Sequence, residues 1–175
     1  MKAIVIYKSR TGFTKRYAEL IGSALECEIY DYNEIGSVEL SEFDLVIFGS
    51  RVHAGRIDSV DKIRKLLENG KCDLIIFATG ATPAAAKDEI EKTRANSLGD
   101  SGIPFFYMQS GLCYEKMGLA DKAIMKMLSA FLSRKGNKSE TENGAASAIA
   151  SSYDISDGKY ITPLVDFVKE KYKGA

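Results

Sequence analysis

Five short apolar runs, each separated from the next by amphipathic or turn-forming segments, constrain this chain more than any other feature. Ala3 to Tyr7 is a continuous, mostly β-branched run, the pattern of a strand buried on both faces. Glu28-Ile29-Tyr30, Leu45 to Phe48, Leu74 to Ala78 and Ile103 to Met108 read as four further strands, with Pro104 near the start or on an edge of the last. Between them, Thr14 to Leu25 places Tyr17, Ala18, Ile21 and Leu25 at helical spacing. Ser59 to Leu67 does the same with Val60, Ile63, Leu66 and Leu67, and Asn69-Gly70 is its expected stop. Pro83 fits a first helical position before Ala84-Ala85-Ala86. A last helix is expected to pack through Leu164, Val165, Phe167, Val168 and Tyr172. Such alternation implies an α/β fold: a doubly wound, five-stranded parallel sheet with helices on both faces. Five strands favour the order 2-1-3-4-5. The expectation is a single domain over residues 1–175, with an insert after the fifth strand at roughly 111–158. The insert reads as helical around Lys116 to Leu132 and as a small, polar loop from Gly136 to Ser152.

Open parallel sheets bind ligands at the carboxyl ends of their strands, near the switch in strand order. After the first strand the chain reads Lys8-Ser9-Arg10-Thr11-Gly12-Phe13-Thr14-Lys15-Arg16. Ser9, Thr11 and Thr14 can donate to phosphate oxygens, and Gly12 permits a tight turn. Peptide N–H groups of the loop and of the helix start add an anion site that needs no metal. A turn that merely caps a helix uses the same residue types. Absent motifs narrow the ligand. There is no G-x-x-x-x-G-K-[ST] for ATP and no G-x-G-x-x-G for a dinucleotide. A receiver domain needs acids where Lys8-Ser9 and Gly49-Ser50 stand, and no cysteine is followed by the spacing to arginine that a phosphatase of this shape requires.

Lysine plus arginine and aspartate plus glutamate number 24 each, so the net charge is zero, which argues against nucleic-acid binding. The balance is uneven: Cys113 to Lys138 carries +4. Cys27, Cys72 and Cys113 are scattered, which suits a reducing compartment, and with His53 as the only histidine no metal site is expected. The amino-terminal apolar run is too short for a signal peptide, so the cytoplasm is the expected location.

Ile4 to Thr14 resembles the flavodoxin FMN-phosphate signature, whose T/S-x-T-G-x-T core is matched by Ser9-x-Thr11-Gly12-x-Thr14. Val46 to Gly55 resembles the third-strand loop of the subgroup containing menaquinone-dependent protoporphyrinogen oxidase. Gly111-Leu112-Cys113-Tyr114 and Asp121 to Leu128 are similar to that subgroup's insert. The resemblance implies a flavodoxin-like fold and non-covalently bound FMN. The phosphate would lie on Ser9, Arg10, Thr11, Gly12, Phe13 and Thr14. The ring would lie between Ser50, Arg51, Val52, His53, Ala54 and Gly55, then Thr79, Gly80, Ala81 and Thr82, then Gly111, Leu112, Cys113 and Tyr114. It implies electron transfer to a redox partner protein, or alternatively an enzyme acting on a substrate such as protoporphyrinogen with a quinone acceptor. A scaffold that has lost FMN is a third reading, opposed by the intact hydroxyl set. Thr79 to Pro83 has no aromatic to stack on a flavin, and the chain is neutral where many flavodoxins are acidic. Both departures favour a more open flavin face.

His53 is the candidate catalytic residue, as a proton-transfer group or a cover on the ring; a solvated loop histidine is the bland alternative. Arg51 and Arg56 could balance reduced flavin or an acidic substrate, or be solvated charge. Tyr114 could stack on the ring or pack within the insert. Cys113 has no resolving partner nearby and reads as inert. Met117, Ala120, Ile124, Leu128 and Phe131 form a stripe expected to be the packed face of a helix; with its lysines it could instead meet a membrane surface or a quinone.

Overall fold

The computed structural model describes residues 1–68, 70–134 and 151–172. The chain forms two compact units, one of Met1–Ser110 with Ser156–Ala175 and one of Gly111–Ile155. Among the described residues the first unit holds six strands: β1 (Ala3–Lys8), β2 (Glu28–Asp31), β3 (Leu45–His53), β4 (Arg56–Ile57), β5 (Asp73–Gly80) and β6 (Phe105–Gln109). Its helices are α1 (Phe13–Leu25), α2 (Val60–Leu67) and α3 (Lys87–Leu98); α4 (Leu119–Arg134) belongs to the second unit, and α5 (Thr162–Lys171) returns to the first.

The sheet runs β2-β1-β3-β5-β6, every neighbouring pair parallel, and β4 folds back antiparallel on β3. Without β4, this is the order the five apolar runs imply. Side chains alternate across each strand, so the sheet builds two cores. On one face Ile4, Ile6, Val46, Phe48 and Ile76 meet Val60, Ile63 and Leu67 of α2 and Leu98 of α3. On the other, Val5, Ile47, Ile75, Phe77 and Met108 meet Tyr17, Ala18 and Ile21 of α1 and Leu164 and Val168 of α5. Each valine, leucine, isoleucine, phenylalanine or methionine among them contributes roughly 1.5–3 kcal/mol when taken out of water.

Several boundaries move for identifiable reasons. Pro83 does not open a helix: α3 starts at Lys87. Ala84 N donates to Gln109 Oε1 at 2.9 Å and Ala86 N to Pro83 O at 2.9 Å, which holds residues 83–86 in a turn. The third strand continues past Phe48 to His53, then reverses into β4. Ile103 and Pro104 precede β6, although the Pro104 carbonyl still accepts from Ile76 N at 2.9 Å. Asn69 lies outside the described residues, as does 135–150, most of the expected polar loop.

In the second unit, Leu112 and Tyr153 form an antiparallel bridge, with N–H to carbonyl distances of 3.0 and 2.9 Å. Ser152 Oγ accepts from Tyr114 N at 2.9 Å and donates to Glu115 Oε2 at 2.7 Å. A single 3-10 turn, Tyr114–Lys116, precedes α4, so the helix begins at Leu119 rather than at Lys116. Leu119, Ile124 and Met127 are 87%, 53% and 69% exposed. At Ile124 the expected packed stripe therefore faces outward; Ala120, Leu128 and Phe131 lie outside the described side chains. No described helix is long and apolar enough to cross a membrane.

Candidate functional site

Strand register puts three loops of the first unit side by side. Lys8 of β1 pairs with Ser50 of β3, and Arg51 of β3 pairs with Thr79 of β5. The chain then leaves β1 for α1 on one face and, through the β3–β4 hairpin, reaches α2 on the other. Diverging connections of this kind open a crevice at the carboxyl edge of the sheet.

The turn after β1 is set by its backbone. Ser9 Oγ accepts from Gly12 N at 3.1 Å, and Gly12 adopts φ 101°, a conformation that favours glycine. Gly12 O accepts from Arg16 N at 3.0 Å and begins α1. Among the described residues no side chain caps α1, and no acidic residue sits in its first turn. The helix therefore presents uncapped N–H groups and the positive end of its dipole to the loop. Thr11, Gly12 and Phe13 are half-buried, and Arg10 is exposed. Thr14 is buried, its hydroxyl 2.8 Å from that of Thr79. One hydrogen bond thus joins the first of the expected cofactor loops to the third.

The loop after β3 is a hairpin. Val52 pairs with Ile57 and His53 with Arg56, so Ala54 and Gly55 form the two-residue turn. Their φ values of 48° and 72° are those of a type I′ turn, which matches strand twist. Gly55 adopts this freely, and Ala54 is strained there. The hairpin docks on α3: Ser97 Oγ accepts from Ile57 N at 2.9 Å, and Asn96 Nδ2 lies 3.4 Å from Gly55 O. His53, Ala54, Gly55 and Arg56 are exposed, Arg51 and Val52 partly so.

At the base of the hairpin lies an ionic cluster that sequence reading misses, because Lys8 stands 50 residues from Asp58. Asp58 Oδ1 is 3.2 Å from Lys8 Nζ and 3.0 Å from Ser59 Oγ, and Arg51 Nε is 4.0 Å from Oδ2. Ser59, itself at φ 61°, accepts from Lys8 Nζ at 2.6 Å. Burial pushes the Asp58 carboxyl up, but hydrogen bonds from Ser59 and Lys8 and the charges of Lys8 and Arg51 outweigh it. The net result lies below the usual carboxylate range.

Gly80, the last residue of β5, and Ala81 and Thr82 after it are half-buried. Tyr107 Oη donates to Thr82 O at 2.9 Å, and Gln109 Oε1 accepts from Tyr160 Oη at 3.0 Å as well as from Ala84 N. Tyr107 and Gln109 fix this loop, and no local motif marks them for that task. Gly111, Leu112, Cys113 and Tyr114 belong to the second unit, where Cys113 Sγ lies 3.4 Å from Glu115 Oε2. Burial drives the Cys27 thiol up to about 11, leaving it a poor nucleophile. Among the described residues no cluster of three or more histidine, cysteine, aspartate or glutamate side chains could hold a metal.

The donor set suits a phosphomonoester: hydroxyls at Ser9, Thr11 and Thr14 around an uncapped helix start. At the adjoining end of β3, Ser50 Oγ is buried with no hydrogen-bond partner among the described residues. An unsatisfied buried hydroxyl costs about 1–3 kcal/mol, which a polar ligand atom in reach of it would relieve.

Solved structures similar to this chain include a flavoprotein in complex with FMN from Lactobacillus acidophilus NCFM. It is 17% identical, with 62% of this chain and 91% of that one covered and a TM-score of 0.45. A WrbA-like flavodoxin from Agrobacterium tumefaciens is 21% identical, covering 69% and 87% with a TM-score of 0.45. Oxidised Flavodoxin 2 from Bacillus cereus is 20% identical, covering 61% and 84% with a TM-score of 0.41. No curated protein matches the chain. A family model described as a flavodoxin domain matches residues 4–141, well over half the chain. With the 2-1-3-5-6 sheet and the Ser9–Thr14 turn in place, the chain belongs to the flavodoxin domain family.

Proposed function

We propose that this protein binds FMN non-covalently and transfers electrons through it to a redox partner. The observation that carries the reading is the β1–α1 turn, with three hydroxyls and a glycine at φ 101° around an uncapped helix start. Ser9, Arg10, Thr11, Gly12, Phe13 and Thr14 are the phosphate residues in this reading, and the hairpin residues Ser50 to Gly55 flank the ring. Thr79 to Thr82 complete the proposed cofactor residues of the first unit, and Gly111 to Tyr114 are those proposed from the second. When bound, the flavin supplies the redox chemistry. The chain supplies orientation and charge: the helix dipole and hydroxyls hold the phosphate, and Arg51 and Lys8, with Asp58 between them, set the local field.

A second reading is an FMN-dependent enzyme acting on a substrate such as protoporphyrinogen, with a quinone acceptor. The exposed Leu119, Ile124 and Met127 of α4 favour it, since with Lys116, Lys122 and Lys126 they offer an apolar and cationic surface. A porphyrin carboxylate or an anionic membrane would complement that charge.

Titration with FMN and with riboflavin, followed by visible absorption and flavin fluorescence, tests the first reading. Tight FMN binding and much weaker riboflavin binding is the expected result; equal affinities would remove the phosphate assignment. Turnover of protoporphyrinogen with menaquinone separates the two readings. His53→Ala is expected to change redox potential or turnover more than FMN affinity, and unchanged potential and rate would leave His53 a surface residue.

A further inference from the structure

Thr79 is the penultimate residue of β5, near the carboxyl edge of the sheet, beside Arg51 on β3 and Met108 on β6. Alternation along β5 puts Ala78 in the core packed by α2 and α3, and Phe77 in the core packed by α1 and α5. Thr79 shares the face of Phe77 and so turns toward α1. There it is 2% exposed and lies 2.8 Å from Thr14, which is also 2% exposed. Position in the chain suggests a flavin-ring contact from the loop after β5. The geometry instead points to a positioning role at the phosphate end: we propose that Thr79 acts on the cofactor through Thr14, and not by touching the ring.

A threonine hydroxyl has one proton and two acceptor lone pairs. If Thr14 gave its proton to Thr79, it would have none left for an anion at the helix start. With Thr79 as donor, its proton goes to a lone pair of Thr14 Oγ1, and the Thr14 proton stays free for a phosphate oxygen. Thr79 then also fixes the Thr14 rotamer. Ser9 is held differently: its Oγ is engaged by the backbone N–H of Gly12.

The inference rests on the FMN reading above, and the test separates the two. Thr79→Val keeps the shape and removes the hydroxyl; Thr79→Ser keeps the hydroxyl. Dissociation constants for FMN and for riboflavin are measured for each variant and for the wild type, with thermal melts to follow the fold. Thr79→Val is expected to bind FMN about five- to tenfold more weakly, as for loss of one oriented hydrogen bond, with riboflavin affinity unchanged. Thr79→Ser should stay within about twofold of wild type for both. In the Thr14→Ala background, Thr79→Val should add almost nothing, since the two residues act as one unit. Equal weakening of both flavins by Thr79→Val overturns the proposal in favour of a ring contact. Unchanged FMN affinity, or full additivity with Thr14→Ala, also overturns it. A wild type that does not prefer FMN overturns the phosphate reading, and this inference with it. A wild type that prefers FMN beside a Thr79→Val variant that keeps the whole preference defeats this inference alone.

Discussion

The β1–α1 turn and the β3–β4 hairpin begin side by side at one edge of the sheet, yet they are built on opposite plans. The turn is held from within: Ser9 closes it on Gly12, and Thr14 is buried against Thr79. The hairpin is held from outside, docked on α3 through Ser97 and Asn96, with its tip exposed and Ala54 strained. The difference teaches where rigidity is placed. In the FMN reading proposed above, the phosphate group is the same in every redox state, so the turn proposed to hold it can be fixed. A ring whose charge changes during the reaction suits a neighbour able to adjust, and exposed, locally strained segments open most readily.

Four changes break or sharpen that contrast. Thr14→Ala should have the largest effect, because a hydrogen bond to a charged group contributes about 1.5–3 kcal/mol. FMN should bind roughly 10- to 150-fold more weakly by titration, while riboflavin loses far less. Full FMN affinity in this variant would erase the distinction between the two regions. Ser97→Ala acts on the hairpin side by leaving the Ile57 N–H buried and unsatisfied. Denaturant melts should show about 1–3 kcal/mol of lost stability, with FMN affinity nearer wild type than in Thr14→Ala. An affinity loss as large as that of Thr14→Ala would mean the hairpin is as much a part of the phosphate site as the turn.

Ala54→Gly should raise stability by roughly 0.5 kcal/mol, since relief of left-handed strain exceeds the added chain entropy. A less stable variant would show that Ala54 is not strained there. The smallest effect concerns Asp58. Its carboxyl titrates lower folded than unfolded, so its charge stabilises the fold above the unfolded value near 3.9, and that contribution fades as pH falls through the folded value. Wild type should therefore exceed Asp58→Asn in stability by a constant margin from about pH 7 to pH 5, and the margin should shrink below about pH 4. A margin that is flat across the whole range would mean Lys8 and Arg51 do not stabilise the carboxylate.

Much of the fold is legible because the forces that specify it are local. The run Ile4-Val5-Ile6 is apolar on both sides, so it must be covered on both faces, and the alternation with helices leaves few topologies that do so. The β1–α1 turn is legible for a similar reason: glycine and hydroxyl residues between a strand and a helix act within a few residues of one another. The hairpin was only half legible. Ala54-Gly55 is no strong turn signal, and β3 reaches His53 because β4 pairs with it and α3 receives it.

The sequence by itself determined a doubly wound α/β fold of the flavodoxin kind and the place of its β1–α1 turn, since periodicity and turn chemistry act over short distances. Tertiary structure alone decided which side chains meet: Thr14 with Thr79, Lys8 and Arg51 with Asp58, Gln109 with Ala84. Those contacts follow from strand register and from which face each residue occupies, and register is fixed only when the whole sheet closes on both of its cores. Pro83 shows the consequence: local preference made it a helix start, and a hydrogen bond between Gln109 and the Ala84 backbone made it a turn.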